Sequence, residues 1–197
     1  MNSKAVLVDI DNTIAQTQHA YISYANAMSA VPFVFEEITR EYTDDIDDPF
    51  EALVRGFITS KDYENTVEAI VPYPDVREAF ELLHRAGFRL CVASSRIEDW
   101  HQPTAQWLDT HGLLPYVDSL YLRTQDIDSD DFKQAVAALS GARYAFDDSA
   151  STGKLLTALD TFYLIDQPWN RDITSPNRML RVKSFKDGVL HLLSNVR

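Results

Sequence analysis

Apolar and polar positions along the chain fall into two kinds of block. Short unbroken apolar runs alternate with longer stretches whose apolar residues recur every three or four positions. Ala5 to Val8 is the first run, and it leads straight into Asp9-Ile10-Asp11-Asn12-Thr13. Pro74 to Ala86 sets Val76, Ala79, Phe80, Leu82 and Leu83 on one helical stripe, which Gly87 closes. Phe88 to Ala93 then predicts a strand ending in Ser94-Ser95. A helix is expected over Pro103 to His111 with Gly112 as its stop, and a strand over Val117 to Leu122. Asp130 to Leu139 predicts a helix, Ala142 to Phe146 a strand running into Asp147-Asp148. A helix over Thr152 to Leu159 and a strand over Thr161 to Ile165 complete the run. Strands and helices alternating at this spacing predict an α/β fold built on a mostly parallel sheet.

The pattern changes between Ile14 and Tyr73. Helical spacing recurs over Ala20 to Ala30, Glu51 to Ile58 and Tyr63 to Ile70, with no strand signal. The expected organisation is therefore a core of residues 1–14 plus 75–197 and a helical cap of residues 15–74 inserted after the first strand. Such an insertion emerges at the carboxyl ends of the strands, the edge where ligands sit in open α/β folds. Asp44 to Asp48 is acidic but has no glycine and no calcium-loop ligand pattern, so it is read as a solvated linker.

Composition narrows the class without naming it. At 197 residues, 45% hydrophobic and 24% charged, the chain is an ordinary globular sequence able to bury a sizeable core. No stretch approaches a membrane span, and the residues before Asp9 lack the apolar centre of a signal peptide. Cys91 is the single cysteine and lies within an apolar strand, so a buried inert thiol and a cytoplasmic setting are expected. The net charge of −12 opposes an extended nucleic-acid surface, which needs a basic face. It permits a small anion held locally, or a metal site that uses several carboxylates.

Polar groups capable of chemistry recur at comparable places. Asp9 and Asp11 follow the first strand, Ser94-Ser95 the next, and Asp147-Asp148 a later one, while Lys133 lies at the start of the helix before that last strand. Taken singly, each fits a turn, a helix cap or a solvated helix face. Parallel strands bring their carboxyl ends to one crevice, so all of them in this order point to a common site. The five histidines show no metal-ligand spacing. Ser149 to Lys154 fails as a phosphate-binding P-loop, because Asp148 stands where the first glycine is required.

These motifs resemble those of the haloacid dehalogenase superfamily of phosphotransferases: DIDNT the first, the serine of VASSR the second, a lysine the third and the acidic pair of FDDS the fourth. The segment from SSRIEDW to DDFKQAV is similar to cytosolic-type 5′-deoxynucleotidases and to the 3′-phosphatase domains of polynucleotide kinases, and LIDQPWNR, after the last strand, resembles a segment of the nucleotidase branch. The resemblance implies a Rossmann-like three-layer core. It also implies a Mg²⁺-dependent phosphomonoester hydrolase working through an aspartyl-phosphate. On that reading Asp9 is the nucleophile and Asp11 the acid and base. Mg²⁺ is held by Asp9, the Asp11 carbonyl, Asp148 and Asp147. Ser94, Ser95, Lys133 and Thr13 surround the phosphate. Thr13 is also placed to orient Asp11, with a helix cap at least as good a reading of it. Arg123 rivals Lys133 for the third motif.

Specificity is expected in the aromatic-rich cap, with Phe33 and Phe35 beside Pro32 as candidate contacts and Arg96 as a further one. The expected substrate is a small phosphomonoester, foremost a nucleoside 5′-monophosphate, and a homodimer is compatible with the family. The rivals are a polynucleotide 3′-phosphatase, a phosphatase of another small metabolite, and a catalytically silent binding protein of the same fold.

Overall fold

A computed structural model describes residues 4–39, 47–58, 70–174 and 178–196. Six parallel strands form one sheet: β1 (Ala5–Val8), β2 (Arg89–Ile97), β3 (Val117–Arg123), β4 (Ala142–Asp147), β5 (Thr161–Ile165) and β6 (Met179–Val182). Their order is β3-β2-β1-β4-β5-β6, so β1 is central and the chain reverses its direction of travel across the sheet there. The helices are α1 (Thr17–Met28), α2 (Pro49–Ile58), α3 (Val76–Arg85), α4 (His101–Thr110), α5 (Ser129–Ser140), α6 (Ala150–Leu155) and α7 (Phe185–Asn195). No helix among the described residues is long and apolar enough to cross a membrane.

The three layers follow from strand alternation. Val6 and Val8 of β1, Leu90 and Val92 of β2, and Phe146 of β4 face one side, where Phe80 and Leu83 of α3, Trp107 of α4 and Val189 of α7 cover them. Ala5, Leu7, Cys91, Ala93 and Ala145 face the other side, beneath Phe132 and Val136 of α5 and Ala150 of α6. Both faces are buried, which is why the strands read as continuous apolar runs. Cys91 is wholly buried, as its apolar context predicts.

Three expectations about elements need correction. The strand expected to stop at Ser94-Ser95 continues to Ile97. The helix expected over Thr152 to Leu159 is α6 and ends at Leu155, because the chain turns into β5 at Asp160. β6 and α7 lie beyond the expected run altogether; β6 is only four residues long, and Gly188 interrupts the helix propensity of α7. That glycine is required by packing, since an added Cβ would meet Phe146 Cε1 at 2.7 Å.

Between β1 and α3 the regular elements among the described residues are helices, as the sequence predicts, with no named strand. α1 and α2 pack through Ile22, Ala25, Phe50 and Val54. The helix expected over Tyr63 to Ile70 and most of the acidic linker lie outside the described residues.

Candidate active site

The loop after β1 sets the geometry. The Asp9 amide donates to the Phe146 carbonyl at 3.0 Å, which extends the β1–β4 ladder by one residue. The chain then folds back on Ile10, whose carbonyl accepts the Ile14 and Ala15 amides. Asn12 makes the reversal at φ 58°, a left-handed conformation that asparagine tolerates better than most residues. Its Oδ1 accepts the Gln18 amide at 2.7 Å, and its carbonyl accepts Gln167 Nε2 at 2.7 Å. Nothing in the DIDNT pattern distinguishes Asn12 as the hinge from an ordinary turn residue.

Asp9, Lys133, Asp147 and Asp148 meet at the carboxyl edge of β1 and β4. Lys133 Nζ lies 2.9 Å from Asp9 Oδ1 and 2.6 Å from Asp147 Oδ2, with all three side chains 5% exposed or less. Lys133 reaches them from one turn inside α5, whose Asp128 cap accepts the Asp130 and Asp131 amides. Burial pushes the Asp9 carboxyl up to about 7, with Asp147 and Asp11 adding to the shift and Lys133 opposing it. Burial alone would depress the Lys133 ammonium, but the Asp147 and Asp9 carboxylates outweigh it and hold the lysine above its ordinary value.

Asp11 lies in a different electrostatic setting. Arg96 grips it with two bonds, Nη2 to Oδ1 at 2.8 Å and Nε to Oδ2 at 3.0 Å. Thr17 Oγ1 donates to Oδ1 at 2.6 Å and Ser94 Oγ to Oδ2 at 3.1 Å. Burial raises this carboxyl, but the Arg96 charge and these hydrogen bonds prevail and hold it below the usual value. A β-bulge makes the Arg96 contact possible. Ser94 pairs with Leu122 and Ile97 with the very next residue, Arg123, so Ser95 and Arg96 bow out of the ladder. Sequence spacing carried no signal for that bulge.

A cavity of about 660 Å³ opens over these groups. Asp9, Asp11, Ser95, Arg96, Lys133, Asp147 and Asp148 line it, together with Arg123, Ser129 and three aromatics, Tyr21, Trp100 and Trp169. Three residues named from the sequence for substrate contact do not reach it. Thr13 is buried against a separate 120 Å³ cavity, and Thr17 has the place on Asp11 foreseen for it. Phe33, half-buried, packs on Phe50 at 5.1 Å between ring centres, against the small core of α1 and α2. Phe35 stacks on His19 at 4.1 Å and touches the edge of Trp169. Ser94, also expected on the phosphate, is wholly buried and spends its hydroxyl on Asp11, while Ser95 lines the cavity. Arg96 is buried in its ion pair, not exposed at the surface.

The donor set fits a hard divalent cation. Carboxylate oxygens of Asp9, Asp147 and Asp148 lie within 4.8 Å of one another. Asp147 already accepts from Lys133 and the Ser149 amide, whereas Asp148 is positioned by Trp169 Nε1 at 3.0 Å. The Asp11 carboxylate stands outside the cluster, and no hydrogen bond among the described residues takes its carbonyl. Of Asp11, therefore, only the carbonyl suits a ligand role.

A family model described as haloacid dehalogenase-like hydrolase matches residues 3–151. No curated protein matches the chain. Among solved structures, the fold is similar to a predicted phosphatase from Clostridium acetobutylicum, with a TM-score of 0.66 and 13% identity over 98% of this chain and 100% of that one. It is similar to a hydrolase of subfamily IA, variant 1, from Geobacter sulfurreducens, at 0.64 and 18% over 98% and 97%. CbbY from Rhodobacter sphaeroides in complex with phosphate gives 0.62 and 17% over 94% and 96%.

Proposed function

The chain belongs to the haloacid dehalogenase-like hydrolase family, and from that premise we propose that it hydrolyses a small phosphomonoester through an aspartyl-phosphate on Asp9. The observation that carries this reading is the buried Asp9–Lys133–Asp147 group beside Asp148, opening on a cavity large enough for a metabolite. We read residues 15–74 as a cap over the core of residues 1–14 plus 75–197.

In the first half-reaction a carboxylate oxygen of Asp9 attacks phosphorus, and the bond from phosphorus to the leaving oxygen breaks. Asp11 gives its proton to that oxygen. In the second half a water attacks the aspartyl-phosphate and passes a proton to Asp11, and Asp9 is regenerated with release of phosphate. Asp11 is ionised while Arg96 grips it, the state that the second half uses. The first half needs the protonated form, so the Arg96 contact has to loosen when substrate enters. Lys133 and the amides after Asp9 oppose the charge that develops on the phosphoryl oxygens. Mg²⁺, held by Asp9, Asp148 and the Asp11 carbonyl, with Asp147 behind, would neutralise the repulsion between carboxylate and phosphate.

A second, narrower reading is a 5′-nucleotidase. The aromatic lining by Tyr21, Trp100 and Trp169 supports it, because aromatic faces stack on nucleobases for about 1–3 kcal/mol each. The net charge of −12 favours mononucleotides over a polynucleotide end.

Phosphate release from 5′- and 3′-mononucleotides, 3′-phosphorylated oligonucleotides and sugar phosphates, with and without Mg²⁺, tests both readings, with Asp9→Asn as the blank. Release from none of them would overturn the phosphatase reading. A preference for sugar phosphates over every mononucleotide would remove the nucleotidase reading alone.

A further inference from the structure

Three cations line the cavity, and their partners differ. Lys133 faces Asp9 and Asp147, and Arg96 faces Asp11. Arg123, the last residue of β3, bonds only neutral carbonyls: Nε to Ser95 at 3.2 Å and Nη1 to Ile127 at 2.8 Å. Among the described residues no carboxylate lies within ion-pair distance of it. Two carbonyls fix the plane of the guanidinium without neutralising it, and they leave part of its fork of donors unused.

Beside Arg123 the Ser95 and Ser129 hydroxyls share one short hydrogen bond. Whichever of them donates, the other keeps a proton to give to a further acceptor. Both serines line the same cavity as Arg123. The distance to the reaction centre follows from the elements. Ser95 is one residue beyond the serine that touches Asp11, and Ser129 is one helical turn, about 6 Å along the axis, before Lys133. This positive, donor-rich corner opens on the same cavity of about 660 Å³ as Asp9.

We propose that Arg123, with the Ser95–Ser129 hydroxyl pair, forms a second anion subsite. It reads a carboxylate or a second phosphate on the substrate while Asp9 engages the phosphoryl group that is removed. The substrate class is then a doubly anionic small metabolite. The inference rests on the phosphomonoester reading of the Asp9 site, and the two fail separately.

The test is calorimetric binding to the Asp9→Asn protein in Mg²⁺, using pairs of ligands that differ by one anion. The pairs are 3-phosphoglycerate against glycerol 3-phosphate, and fructose 1,6-bisphosphate against fructose 6-phosphate. The doubly anionic member of each pair is expected to bind about tenfold more tightly or better, the size of one charge-assisted contact. Adding Arg123→Gln shrinks that advantage to about threefold or less, and Arg123→Lys retains part of it, each variant being checked for an intact thermal transition. Equal binding within both pairs, no binding by any ligand, or an advantage that survives Arg123→Gln would overturn the subsite. Wild-type turnover of the same ligands separates the readings. Hydrolysis without discrimination sinks the subsite alone, and discrimination without hydrolysis sinks the phosphatase reading alone.

Discussion

Arg96 holds Asp11 by both carboxylate oxygens, at 2.8 and 3.0 Å, although 85 residues separate the two in sequence. The Arg96 side chain is 5% exposed and that of Asp11 29%, so the pair is shielded on the arginine side and open to the cavity on the other. A carboxylate fixed in this way is oriented toward whatever occupies the cavity. It is also biased toward its ionised form by the arginine charge, which overcomes the effect of burial.

Replacing Arg96 with glutamine should therefore act on both stability and rate. The loss of two charge-assisted bonds costs about 2 kcal/mol, because Thr17 and Ser94 still satisfy Asp11. Turnover of any substrate found should fall about tenfold or more, as Asp11 loses its fixed direction. Urea unfolding and initial rates check the two effects; unchanged values for both would mean that the ion pair is idle.

Lys133→Met should be more severe. It leaves Asp9 and Asp147 buried face to face with no cation between them, and removing one partner of a buried charge group costs about 3–5 kcal/mol. Adding Asp147→Asn removes one of the stranded carboxylates. The double variant should regain part of the lost stability while remaining inactive, which a comparison of thermal midpoints and phosphate release would reveal.

Mg²⁺ should stabilise the folded protein. At about ten times its dissociation constant a ligand specific to the native state adds about 1.4 kcal/mol, or roughly 3–5 °C for a domain of this size. Asp148→Asn should abolish most of that shift, since it removes the carboxylate that Trp169 positions in the cluster. Differential scanning fluorimetry with added Mg²⁺ or chelator gives the comparison. An equal shift in both proteins would place the cation elsewhere.

Tyr163 should make stability fall at alkaline pH. Its ring is stacked on Phe146 at 4.5 Å, and burial, assisted by Tyr144, pushes its hydroxyl up to about 12. The unfolded chain loses this proton near the ordinary value of 10.0. Between the two values the unfolded state binds fewer protons than the folded one, so stability is full below 10.0 and declines as pH rises toward 12. Urea midpoints at pH 8 and near pH 11 should diverge in the wild type and diverge less in Tyr163→Phe. The remainder comes from the other groups raised by burial or ion pairing, Lys133 among them.

The order of strands and helices was readable because each buried strand must be apolar throughout and each covering helix apolar on one stripe. β5 was located to the residue on that basis, Thr161–Ile165. β6 and α7 escaped because a four-residue edge strand and a glycine-containing helix give little periodic signal; packing of Gly188 against Phe146 settles them instead. Phe33 and Phe35 show the same limit from the other side. Aromatic composition shows that rings are present, but only tertiary packing decides that Phe33 and Phe35 lie against the α1–α2 cluster while Tyr21, Trp100 and Trp169 line the cavity.

By itself the sequence determined that Asp9, Asp11, Lys133, Asp147 and Asp148 would share one edge, since parallel strands carry their following residues to a common side. It did not determine which of them would touch. Tertiary structure alone set Lys133 between Asp9 and Asp147, bowed Ser95 and Arg96 out of β2, and exchanged Thr13 for Thr17 on Asp11. The reason is physical: alternation and chain direction act over neighbouring residues and are written locally. A charge partner or a bulge, by contrast, depends on the distance between elements far apart in the chain, which only the packed core fixes.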